Sequence, residues 1–166
     1  MSTDPNDKAA VEKRLWKELE DARLGMLGLT GSHQHFQPMT AFAEPEGGQV
    51  WFFTREDTDL AKSASGGAEA MLIVQSKDQE FQACIGGVLS TARDTARIDK
   101  YWNPIVATWF PDGKDDPALT LLRLDVRDAE LWISKGGPVR FAWEVAKANL
   151  TDSPPDLGDK AHVKLA

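Results

Sequence analysis

A chain of 166 residues, 42% hydrophobic and 27% charged, can bury the core of one domain and is too apolar to be disordered. Its formal net charge of -7 argues against broad nucleic-acid binding, which needs clustered lysine and arginine against phosphate. The single cysteine, Cys84, excludes an internal disulfide and a cysteine-based metal cluster.

No apolar run approaches the roughly 20 residues that span a membrane. The start, Met1 to Asp7, lacks the basic and apolar regions of a secretory signal, so the cytoplasm is the expected location, with no membrane or nucleic-acid partner. Six tryptophans against one tyrosine is unusual usage. Large flat side chains serve cores and interfaces first and flat ligands second.

The first expected element is a helix capped by Asp4, with Pro5 in its first turn. Val11, Leu15 and Leu19 form its buried line. Arg23 to Leu29 reads as a short strand whose glycines admit a neighbouring backbone. Thr30 to His35 is a loop. His33 and His35 alternate as metal ligands on a strand can, yet no third ligand follows with matching spacing, and no metal site is assigned.

Phe36 to Ala43 and Gln49 to Thr54 read as the two strands of a hairpin, joined by Glu44-Pro45-Glu46-Gly47-Gly48. Pro38 marks its strand as an edge or a bulge. Trp51 and Phe53 alternate with Phe52, so both faces of the second strand are apolar. That strand feeds a short helical turn, Asp59-Leu60-Ala61-Lys62. Such a unit can place backbone amides, a hydroxyl and an ammonium around one phosphate.

Ala68 to Gln75 is a nearly continuous apolar strand. Phe81 to Ser90 is a longer one, bent by a bulge at Gly86-Gly87. Asp94 to Trp102 reads as a capped helix stopped by Asn103-Pro104, and Ile105 to Phe110 as a second short helix. The acidic loop from Pro111 to Pro117 lacks the spacing and closing glutamate of a calcium loop. Leu119 to Val126 alternates cleanly; Asp128 is expected to turn the chain into a further strand, Ala129 to Ser134. Gly136-Gly137-Pro138 then opens a helix with Phe141, Val145 and Ala148 on one face. Residues 1–150 are taken as one domain and 151–166 as a polar tail. Many strands with short connections argue for an antiparallel barrel over alternating strand and helix.

The order of these pieces resembles the pyridoxamine 5'-phosphate oxidase-like family of FMN-binding split barrels, in its general stress protein branch. The residues that carry the likeness are the opening helix before Leu24, Gln37-Pro38-Met39-Thr40, Trp51-Phe52-Phe53-Thr54 and Asp59-Leu60-Ala61-Lys62. Ile85-Gly86-Gly87, Trp109-Phe110-Pro111-Asp112-Gly113, Asp116-Pro117 and Glu130-Leu131-Trp132 complete it. The likeness covers roughly residues 10 to 148.

This resemblance implies a mainly β fold with flanking helices, a six-stranded antiparallel split β-barrel. It implies a homodimer with flavin, FMN or alternatively FAD, at the subunit interface. Gln37, Pro38, Met39 and Thr40 would run along the flavin, Phe53 and Thr54 would lie near its ribityl chain and phosphate, and Lys62 would pair with the phosphate. Trp132 would come from the other subunit and cover the ring.

The implied function is that of a flavin-binding protein of the general stress type, with any oxidoreductase chemistry carried by the flavin. No nucleophile with a base beside it is evident, so no residue is named catalytic, and substrate and electron donor stay open. A non-catalytic flavin store, a pyridoxamine phosphate oxidase and a haem-binding split barrel are the alternatives. In the oxidases the place of Gln37 commonly carries arginine, and Gly136 to Arg140 does not match their late basic motif.

Overall fold

The structure is a computed structural model that describes residues 3–165. Helix α1 (Lys8–Ala22) is capped by Asp7, whose carboxylate accepts from the Ala10 amide. Asp4, the expected cap, instead accepts from the Asn6 amide one turn upstream. Val11, Leu15 and Leu19 are buried as their spacing predicts, with Trp16 beside them.

Eight strands follow: β1 (Leu24–Leu29), β2 (Gln37–Thr40), β3 (Phe42–Glu44), β4 (Gln49–Arg55), β5 (Ala68–Gln75), β6 (Phe81–Ala92), β7 (Leu119–Ser134) and β8 (Gly158–Lys164). Between them lie α2 (Asp59–Ala64), α3 (Thr95–Tyr101), α4 (Pro104–Ala107) and α5 (Pro138–Thr151). Every ladder is antiparallel.

The strand order is β2-β1-β5-β6-β7-β4-β3, with β8 also paired to β7. β2 and β3 stand at opposite ends of this path, yet only Ala41 separates them in the chain. Two steps of about 3.8 Å are all the backbone has between Thr40 and Phe42. The sheet must therefore curl until its two ends meet. No ladder joins β2 to β3, so the barrel stays split along that line. The expected split barrel is the architecture found, with more strands than the six expected.

Three differences from the sequence reading share this origin. The expected hairpin strand Phe36 to Ala43 breaks at Ala41, where the chain crosses from one sheet end to the other; only Phe42–Glu44 pairs with β4. The turn expected at Asp128 is absent, and β7 runs through as one strand. Gly86 faces Asp128 while Gly87 faces Val126, so Arg127 is an extra residue that bends the sheet without ending the strand. Residues 151–166, expected as a polar tail, contain β8, whose Ala161 and Val163 are buried.

The concave side holds the main core, with Leu27, Phe52, Leu72, Phe81, Ile85, Leu122 and Leu131 at its centre. α1 lays its apolar line into that core and touches β3, β5 and β8, closing the mouth of the curl. A second core lies outside the sheet, where α3, α4 and the following loop bring Ile98, Val106 and Phe110 against Trp51, Leu119 and Leu121. The two faces of β4 thus serve two cores, as its doubly apolar pattern requires. Among the described residues, no helix is long and apolar enough to cross a membrane.

Candidate functional site

The split brings the start of β2 against the start of α2. Gln34, His35, Gln37, Thr58, Asp59 and Leu60 line a cavity of about 320 Å³ there. The approach loop is pinned to α2 by Gln34, whose amide donates to Ser63 Oγ over 3.0 Å. One wall is β2, an edge strand paired only with β1. Its other edge has backbone groups free for a ligand, and Pro38 fits such an edge because it has no amide to leave unpaired.

The opposite wall is a threonine pair. Thr58 caps α2: its hydroxyl accepts from the Ala61 amide at 3.2 Å and donates to the Arg55 carbonyl at 2.9 Å. That single proton is committed, so in the 3.3 Å contact with Thr54 Oγ1 the donor is Thr54. Thr54 can redirect its proton to an incoming acceptor without breaking the cap. Arg55, the next residue, is held by Asp57 through two hydrogen bonds of 3.2 Å. Those bonds with Asp57 keep the guanidinium's pKa above its ordinary value.

The residues assigned from the sequence do not all meet at this cavity. Gln37 lines the cavity and Thr54 reaches it through Thr58. Pro38 and Thr40 are exposed and Met39 packs against the main core. Lys62 is exposed on the last turn of α2 and lies beyond the cavity wall. Phe53 is turned into the second core, with ring centroids at 5.8 Å from Phe42, 6.2 Å from Trp102 and 6.5 Å from Phe110; only its backbone is free to serve a ligand. Thr58 and His35 were missed as wall residues. Thr58 carried a readable signal, a threonine one residue before the acidic start of a helix.

Trp132 lies elsewhere. It is 41% exposed on β7, opposite Gln82 of β6 and Lys160 of β8, with the Lys160 ammonium 5.6 Å from its ring centre. From β2 to β7 the path runs through β1, β5 and β6. Trp132 lines neither the split cavity nor the hollow by the bulge described next.

A larger hollow of about 580 Å³ lies by the bulge, lined by Glu69, Met71, Gly86, Gly87, Arg127 and Asp128 among others. No residue assigned to the cofactor lines it. Two of its charges already meet each other, Arg127 with Glu69 at 3.0 Å. Among the described residues no cluster of histidine, cysteine, aspartate or glutamate is placed to hold a metal ion. Burial pushes the Cys84 thiol up, and Glu130 and Asp128 add to the effect, so it is a poor nucleophile.

What the site offers is a small polar cavity beside an open strand edge, with one hydroxyl free to turn. At about 320 Å³ the cavity stands at the small end of ligand pockets. The Thr54 hydroxyl, a free strand edge and a lysine on the last turn of α2 are donors of the kind an anionic group takes.

Solved structures carry the same fold. The chain is 35% identical to a general stress protein 26 from Jannaschia sp. CCS1, with a TM-score of 0.78 over 94% of this chain and 99% of that one. It is 38% identical to the general stress FMN/FAD binding protein of Xanthomonas citri, with a TM-score of 0.71 over 78% and 92%. A general stress family protein from Xanthomonas campestris pv. campestris is 40% identical, with a TM-score of 0.72 over 79% and 92%. Comparison with curated protein sequences returns no match. The family model described as pyridoxamine 5'-phosphate oxidase like matches residues 10–156. The chain therefore belongs to the pyridoxamine 5'-phosphate oxidase-like family.

Proposed function

We propose that the protein binds FMN as a homodimer, with each flavin gripped by one chain and covered by the other. The grip is the free edge of β2 from Gln37 to Thr40, the Thr54 hydroxyl held in place by Thr58, the backbone at Phe53 and the ammonium of Lys62. The cover is Trp132 of the second copy. The observation that carries this reading is the split cavity between β2 and α2, with Trp132 exposed on β7 outside it.

The sheet's outer face supports a seam between two copies. Pro38, Met26, Ile73, Cys84, Glu130 and His162 follow one another across it in register. Leu24, Met26, Met71 and Ile73 there are exposed apolar side chains, a patch that soluble proteins cover. Acidic Glu69, Asp128 and Glu130 face basic Arg127, Lys160 and Lys164 across the same surface. A second copy can approach this balanced face without the repulsion expected from the chain's net charge.

FMN, when bound, supplies redox chemistry; the chain's own residues bind, orient and shield. Purified protein should show flavin absorption, and the released molecule should be FMN. Lys62→Ala should weaken FMN binding by about 10- to 100-fold, the worth of one charge-assisted hydrogen bond, with the fold unchanged. Unaltered affinity would remove Lys62 from the site. A store without catalysis has the same site; steady-state reduction of bound FMN by NADH or NADPH separates the two.

A further inference from the structure

Helix α5 packs the wrong way round for an isolated chain. Glu144 is its buried side chain, accepting from the Asp156 amide at 3.1 Å, while Arg140 pairs with Asp156 at 3.6 Å. Its apolar residues point outward. Val139, Trp143, Ala146 and Leu150 recur at i, i+4, i+7 and i+11, one stripe along a helix; Trp143 is 66% and Leu150 87% exposed.

We propose that α5 is an exchanged arm: its stripe seats on the outer face of the second copy, over Leu24, Met26, Met71 and Ile73 of the partner subunit. This rests on the two-copy reading above. Two observations select that occupant. First, α5 begins six residues after Trp132. If Trp132 covers a ring on the partner's β2, α5 emerges beside that strand. The apolar strip on β1 and β5 lies about 5 and 10 Å further across the sheet, within the roughly 21 Å length of a 14-residue helix.

Second, charge favours a copy over a membrane. With Glu144 turned inward and Arg140 paired with Asp156, α5 shows solvent Lys147, whereas the chain as a whole is at -7. An apolar helix whose unmatched charge is a cation is drawn to a second copy of net charge -7. An anionic bilayer would attract the helix but repel the body that carries it.

The test mixes two pools in a Cys84→Ser background, one carrying Leu150→Cys and the other Ile73→Cys, and joins them with a short bismaleimide. A covalent dimer linked between positions 150 and 73 is expected. A dimer by light scattering that yields no such link, or only 150–150 links, overturns the arm and leaves the seam standing. A monomer overturns both. Independently, Trp143→Glu with Leu150→Glu should raise the dimer dissociation constant at least tenfold with unchanged circular dichroism. Unchanged dimerisation, or sedimentation of the parent chain with phosphatidylserine vesicles through α5, contradicts the proposal.

Discussion

Glu44 shows how single residues fix the split. At the end of β3 it accepts from Arg97 at 2.9 Å and from Tyr101 at 2.6 Å, while Phe42 stacks on Tyr101 at 4.6 Å. Arg97 also lies 4.2 Å over the Trp51 ring, above an indole nitrogen that is buried without a partner. These contacts clamp α3 to the β3–β4 hairpin and so hold one lip of the split. Burial pushes the Glu44 carboxyl up, but the bonds from Arg97 and Tyr101 outweigh it and hold the pKa below its ordinary 4.5. A lowered carboxylate pKa stabilises the fold above its unfolded value and loses that effect as pH falls through the folded one. Glu44→Gln should therefore cost about 1–2 kcal/mol at pH 7 and clearly less near pH 3, read from urea midpoints of both proteins. Gly87 makes a second residue-scale prediction. A Cβ there would stand 2.2 Å from the Asp125 carbonyl oxygen, so Gly87→Ala must push β6 from β7 and should cost at least about 2 kcal/mol in urea unfolding.

At the scale of elements, periodicity was legible and continuity was not. The four-residue spacing of Val11, Leu15 and Leu19 located α1, and the alternation from Leu119 located the first half of β7. Both signals come from a side being buried, which composition records directly. The crossing at Ala41 left no such mark, because one residue changes sheet ends without any turn chemistry. Arg127 misled for the opposite reason: a bulged residue breaks the alternation, and the Asp128 beside it imitates a turn. β8 was missed because Gly158 to Lys164 exposes alternate polar side chains and buries only Ala161 and Val163. Of the site, the strands and Thr54 were readable, while the turning of Phe53 into a second core depends on α3 and α4, far along the chain. Leu15→Ala should destabilise by about 2–5 kcal/mol, since its side chain is fully buried where α1 closes the curl. A chain ended before Gly158 should aggregate at concentrations where the parent stays dispersed, because the β7 edge from Asp128 to Ser134 loses its cover.

For the whole molecule, the proposal is that one copy carries both halves of a flavin site and that a second copy completes it. In that proposal the grip at the split of one chain is covered by Trp132 of the other, which stands exposed on β7 outside the split cavity. The apolar outer face and the outward stripe of α5 are the surfaces such a pair would bury. Mixing Thr54→Val copies with Trp132→Ala copies should therefore restore one good site per mixed pair, seen as a tight fraction in FMN titrations that neither variant shows alone. The most direct test is native mass spectrometry of the parent chain with FMN. Two chains carrying two FMN molecules is the expected ion series; a single chain that binds FMN, or a pair that binds none, would contradict a flavin site shared between copies.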